Sequence, residues 1–164
     1  LDIPGVAKRQ IERLVWVMGQ GGQALDRVYM YGEPRLYMDV VRSADMNRTP
    51  DIRTRAILPR WAAEMTITFV HPMITEKAIV NLLAAAGITV GVGDWRPEKG
   101  KGSYGQFKIV NSDDREYQEI VAEGGRAAQH AGMTTAEPYD GESREMLSWW
   151  TADVQRRGAV KEVA

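Results

Sequence analysis

Between Gly91 and Phe107 the chain reads Gly-Val-Gly-Asp-Trp-Arg-Pro-Glu-Lys-Gly-Lys-Gly-Ser-Tyr-Gly-Gln-Phe. Glycines at 91, 93, 100, 102 and 105 stand among Trp95, Arg96, Lys99, Lys101 and Tyr104. Glycine reaches positive φ without steric cost and lets backbone N–H groups face a ligand, cations attract phosphate, and flat aromatic rings stack on bases. The chemistry implied is contact with a nucleic-acid backbone. The plainer reading is a long connection kept in solution by its charges. A solubilising connection, however, has no use for Trp95 and Tyr104 beside the cations.

A second concentration of cations lies between Arg42 and Arg60, where Arg42, Arg48, Arg53, Arg55 and Arg60 are scattered through Ser, Asn, Thr, Asp and Pro. This reads as an exposed basic excursion in which Arg48, Arg53 and Arg55 extend a phosphate-binding groove. It reads equally well as a solvated face balanced by Asp39, Asp45, Asp51 and Glu64. Signals for catalysis are thin. His71, after a strand and before Pro72, fits a general base in a metal-independent ribonuclease, or simply a polar residue closing the strand. His130 has no partner pattern, and two histidines so far apart make no metal site, so neither metal nor cofactor is expected. The acids Asp39, Asp45, Asp51, Asp94 and Glu98 are of the type that forms turns or pairs with nearby arginines.

The elements that would position these groups follow from periodicity. Val6, Ile11, Leu14, Val15 and Met18 recur at helical spacing, predicting an amphipathic helix over Ile3 to Met18 with Asp2 as N-cap. Leu25 to Val41 reads as two strands joined by a turn at Gly32-Glu33-Pro34. Trp61 to Val70 alternates, placing Trp61, Ala63, Met65, Ile67 and Phe69 on one face and Glu64, Thr66 and Thr68 on the other. Thr75 opens a helix as N-cap, with Ile74 and Ile79 as hydrophobic staple and an apolar stripe through Leu82, Leu83 and Ala86 to a stop at Gly87. Short strands are predicted at Ile88 to Val92 and Gln106 to Val110, a polar tail from Asn111, and a helix over Ser143 to Arg156 carrying Met146, Leu147, Trp150 and Val154 on its apolar side.

With 164 residues, 44% of them apolar, the chain is long enough for one compact domain with a sizeable core. Its formal charge of -1 excludes a global basic footprint, so any nucleic-acid site must be a local patch. The absence of cysteine excludes disulfides, thiolate metal sites and cysteine nucleophiles, and fits a reducing compartment. No apolar run approaches the ~20 residues of a membrane span, and no secretory signal is visible, so the expected location is the cytoplasm.

The motif Gly91-Val92-Gly93-Asp94-Trp95-Arg96-Pro97 followed by Gly102-Ser103-Tyr104-Gly105-Gln106-Phe107, directly after a strand and a helix, resembles an uncharacterised group of phage and prophage proteins. It is also similar to the glycine-rich loop of the RAMP superfamily, the RRM-like proteins that form the RNA-binding backbone of CRISPR effector complexes. The resemblance covers residues 61 to 110. It implies Gly91, Gly93, Arg96, Gly102 and Gly105 as the matching loop positions, the Arg42 to Arg60 excursion as an inserted hairpin reaching a neighbour, and copies that polymerise along RNA.

The expected architecture is therefore α+β: a ferredoxin-like or RRM-like antiparallel sheet over 1–110 with a basic insertion at about 42–60, then a polar segment and a docking C-terminal helix over 111–164. The expected function is non-catalytic binding of single-stranded RNA or DNA by a subunit that assembles in repeating copies. The alternative is a phage structural or interaction protein forming homo-oligomers without nucleic acid.

Overall fold

The helix expected from Ile3 to Met18 stops early. In the computed structural model, which describes residues 7–19, 27–42, 46–100 and 102–157, helix α1 covers Lys8–Leu14 and the chain then turns directly into strand β1, Val15–Met18. The expected N-cap Asp2 lies outside the described residues. Val15, Trp16 and Val17 are β-branched or aromatic and suit a pleated, half-buried surface better than a helix, once a partner strand is at hand. That partner is Thr66–Phe69, with which β1 pairs antiparallel, Val15 opposite Phe69 and Val17 opposite Ile67.

The described chain forms two compact units, and neither is one continuous segment. One is built from the residues up to Met30 together with Ala63–Gln118, the other from Tyr31–Ala62 together with the residues from Glu119 onward. Two-residue strands, β2 (Met30–Tyr31) and β5 (Ala62–Ala63), mark the first two crossings. The strand expected over Trp61 to Val70 is accordingly split into β5 and β6 (Thr66–Phe69). Met65 falls in the break and is 46% exposed, while Ile67 and Phe69 keep their inward places.

The core of the first unit is set by helix α2, Glu76–Thr89. Thr75 caps it as expected, its hydroxyl accepting the Ala78 N–H at 3.3 Å, and Ile74 and Ile79 are both buried. Leu14, Val15, Ile67, Phe69 and Leu82 pack against this pair, so α1, β1 and β6 are held by one apolar cluster. The helix does not stop at Gly87. It runs on through Ile88 and Thr89, so the strand expected at Ile88 to Val92 is not formed. The terminating glycine is Gly91, left-handed at φ +69, whose N–H reaches the Ala86 carbonyl at 2.9 Å. The strand expected at Gln106 to Val110 is also absent. Its donors go to the orphan carbonyls at the helix end: the Phe107 N–H to Gly87 at 3.0 Å and the Gln106 side-chain amide to Ile88 at 3.0 Å.

In the second unit, β3 (Arg35–Arg42) and β4 (Pro50–Ile57) form an antiparallel hairpin. The basic excursion is thus the second strand of a hairpin, and the partner of β3 is β4 rather than the segment before Gly32. Along the other edge of β3, the Leu36 N–H donates to Glu137 at 2.7 Å, the Tyr139 N–H donates to Leu36 at 2.8 Å, and the Met38 N–H donates to the Ser143 hydroxyl at 3.1 Å. Tyr37 and Tyr139 meet edge to face with centroids 6.2 Å apart.

The stretch expected to be a polar tail holds three helices: α3 (Arg115–Glu123), α4 (Arg126–Thr135) and α5 (Gly141–Arg156). Asp114 caps α3 through the Tyr117 N–H at 2.9 Å, and Asp140 caps α5 through the Ser143 N–H at 2.8 Å. The last helix begins two residues before the expected Ser143. The architecture is α+β with small antiparallel strand pairs. No helix among the described residues is long and apolar enough to cross a membrane.

Candidate nucleic-acid interface

The glycine-rich loop leaves the end of α2 at Gly91 and returns to it at Phe107. Between these anchors it folds on itself as a short ladder. The Val92 N–H donates to the Gly105 carbonyl at 2.9 Å, and the Tyr104 N–H donates to the Trp95 carbonyl at 3.1 Å. Pro97 opens one turn of 3-10 helix, Pro97–Lys99, closed by Gly100 N–H to the Pro97 carbonyl at 3.0 Å. The glycines make this folding possible. A Cβ on Gly105, which is left-handed at φ +68, would lie 1.8 Å from the Val92 carbonyl oxygen, and one on Gly102 would lie 1.6 Å from that of Trp95. Both are glycine because the loop's own backbone approaches them, and a ligand is not needed to explain them. Gly93 and Gly100 differ, since a Cβ on either would meet open space.

Trp95 stands apart from its surroundings. It is left-handed at φ +55, a conformation that costs a bulky L-residue on the order of 1–3 kcal/mol and persists only where the surrounding structure enforces it. The enforcement comes from the Tyr104 hydrogen bond and from the close approach of Gly102 to its carbonyl. The result is an indole held 59% exposed, in a molecule where burying it would contribute stability. With Lys99, Gly100 and Gly102 it lines an open depression of about 460 Å³. Tyr104, 44% exposed, is the second outward aromatic group of the loop.

The cations are unequal. Arg96 is spent within the loop: its guanidinium donates to Glu98 at 2.9 and 2.7 Å and to the Gly93 carbonyl at 3.0 Å. The same guanidinium holds the Glu98 carboxyl below its ordinary value, through the hydrogen bond first and its charge second. Arg96 therefore fixes the turn that carries Trp95. The Lys99 ammonium is exposed and makes no hydrogen bond or ion pair among the described residues, its charge reaching Glu98 only through space. Lys101 lies outside the described residues.

The structure brings Gly91, Gly93, Trp95, Arg96, Lys99, Gly102, Tyr104 and Gly105 together in the first unit, whereas Arg48, Arg53 and Arg55 belong to the second. Arg53 and Arg55 share one face of β4, opposite Asp39 and Tyr37 respectively, and Arg53 also pairs with Asp51 at 3.5 Å. Arg48 is exposed in the connection between the strands. His71 is exposed in the turn after β6, and His130 is exposed on α4 in the other unit. Among the described residues no three of His, Asp and Glu converge as a metal site would require.

Gly100, one of the loop glycines read from sequence, lines the depression. Glu98, read as an acid that forms a turn or pairs with a nearby arginine, takes up Arg96. What the sequence does not show is the depression itself, which the fold of the loop creates. No family model matches this chain, and no curated protein or solved structure matches it.

Proposed function

We propose that the loop over Gly91 to Phe107 binds single-stranded nucleic acid, RNA or DNA, without chemistry of its own. A base stacks on the Trp95 indole in the depression, Tyr104 offers a further face, and phosphates are drawn to Lys99 and Lys101. The observation that carries this reading is Trp95 itself, a tryptophan held outward in a left-handed backbone by its neighbours, beside a lysine that makes no ion pair among the described residues. Strain retained at an exposed aromatic group has a reason when that group meets a ligand. Arg96 acts as a positioning residue for the loop rather than as a phosphate contact. The resemblance to the RRM-like RAMP proteins supports this reading, the Arg42 to Arg60 segment being the inserted hairpin that the resemblance implies.

The test is binding of labelled oligonucleotides across a salt series. Stacking on an aromatic side chain contributes about 1–3 kcal/mol per base, so Trp95→Ala weakens binding roughly 5- to 150-fold while Trp95→Phe retains most of it. Lys99→Ala lowers the slope of log affinity against log salt by about one. Absence of binding at low salt, or binding indifferent to Trp95→Ala, overturns the proposal. The same absence, with the purified protein showing no excess absorbance from nucleic acid, favours an interaction protein whose loop contacts another subunit.

A further inference from the structure

Among the described residues no strand pairs with β4 along its edge away from β3. Leu36 and Met38 direct their N–H groups away from β4, towards Glu137 and Ser143, so the pairs Leu36–Ala56, Met38–Thr54 and Val40–Ile52 are the non-hydrogen-bonded pairs of the hairpin. It follows that Ile52, Thr54 and Ala56 point their N–H and C=O groups outward along the far side of β4. That strand has no partner other than β3 among the described residues, and six of its eight residues are exposed. On one face of the hairpin, Val40 is 56% and Ile52 41% exposed although they lie directly opposite each other, so an apolar stripe runs across the two strands and ends at the open edge. On the other face Asp51 and Arg53 stand side by side, both exposed and 3.5 Å apart.

We propose that this edge takes a second copy of the same chain, antiparallel, with the two-fold axis at Ile52. In that register Ile52 of each copy exchanges N–H and C=O bonds with Ile52 of the other, and the Thr54 N–H donates to the Pro50 carbonyl of the other copy, while the Thr54 carbonyl, to which proline cannot donate, is left to water. The apolar stripe continues as Val40, Ile52, Ile52 and Val40 across four strands. On the opposite face Asp51 of each copy lies across from Arg53 of the other, giving two equivalent cross-strand ion pairs related by the axis. Charges and proline on an edge normally discourage pairing with other chains. Here the order Asp51-Ile52-Arg53 is complementary to itself under a two-fold axis, so the same charges select one register. This strand belongs to the second unit and the loop to the first, and the proposal goes beyond the loop's function: a chain that binds no nucleic acid still pairs through β4.

Because the chain contains no cysteine, Ile52→Cys introduces a single thiol. Hydrogen-bonded antiparallel partners have Cα atoms about 5.5 Å apart, within the range of roughly 4.4–6.8 Å that a disulfide spans. The expected result is that Ile52→Cys forms a covalent dimer under mild oxidation and Thr54→Cys does not. In sedimentation, Asp51→Arg and Arg53→Asp should each weaken association by about tenfold or more, and the double variant should restore it, because both cross-strand pairs are then re-formed with signs exchanged. These substitutions are on exposed positions, and circular dichroism checks that the hairpin survives. A chain that stays monomeric, a Thr54→Cys crosslink as efficient as that of Ile52→Cys, or a double variant no better than the singles overturns the proposal.

Discussion

Replacing a glycine inside a helix by alanine normally stabilises a protein, by about 1 kcal/mol. Gly87→Ala is expected to do the reverse. The residue sits in the last turns of α2, yet a Cβ there would lie 2.1 Å from the Phe107 carbonyl oxygen and 3.0 Å from the Phe107 ring. Carbon and carbonyl oxygen do not come closer than about 3.3 Å without cost, so the segment carrying Phe107 must retreat by more than about 1 Å. Retreat breaks the Phe107 N–H bond to Gly87, worth about 1 kcal/mol, and disturbs the packing of a half-buried ring, with overpacking costs of about 1–3 kcal/mol. After the helix-propensity gain is credited, the net effect is a destabilisation of about 1–3 kcal/mol. Exposed Ala84 in the same helix provides the calibration, since Ala84→Gly reports propensity alone and should cost about 1 kcal/mol. Urea unfolding followed by circular dichroism measures both. A Gly87→Ala protein more stable than the parent would show that the contact between α2 and the returning loop is not tight, and the reasoning on the loop's anchor would fall with it.

Ser143 is fully buried and accepts the Met38 N–H, so Ser143→Ala leaves a buried donor without a partner and should cost about 1–3 kcal/mol in the same assay. Glu98 has its folded-state value depressed by Arg96, so its contribution is present above the ordinary carboxylate value of 4.5 and is lost as pH falls through the lower folded value. Tryptophan fluorescence should therefore report loosening around Trp95 in acid, and Glu98→Gln should show the loosened signal already at neutral pH. A Glu98→Gln signal identical to the parent's at neutral pH would remove the ion pair from the account of the loop.

What was legible in the sequence were features fixed by local chemistry. Thr75 with Ile74 and Ile79 announced a helix start because capping and stapling need only residues that are near in sequence, and Gly141–Arg156 was found within two residues for a similar reason. The outward placement of Trp95 and Tyr104 was read correctly from their company in the loop. What failed depended on distant partners. Val15-Trp16-Val17-Met18 fits helical spacing and strand propensity alike, and only β6 decides between them. Ile88 and Thr89 look like strand residues but extend α2, because the returning Gln106 and Phe107 satisfy the helix's last carbonyls. Arg96 was read as a cation that attracts phosphate and Glu98 as a turn former or arginine partner; the turn at Pro97 decides that the two engage each other. The acidic run from Asp113 to Glu123 hid a helix because its polar residues mask a narrow apolar side of Tyr117, Ile120 and Val121.

The interleaving of the two units bears on how the chain is made as well as how it stands. A ribosome delivers β3 and β4 long before Glu137 and Ser143, which cover the other edge of β3, and delivers the whole of the first unit's second segment in between. At about 5–20 residues per second, the hairpin waits on the order of 10 s with both of its edges bare. During translation the nascent chain therefore presents a two-sided template for strand pairing, and the arginines of β4 serve as its guard before they serve anything else.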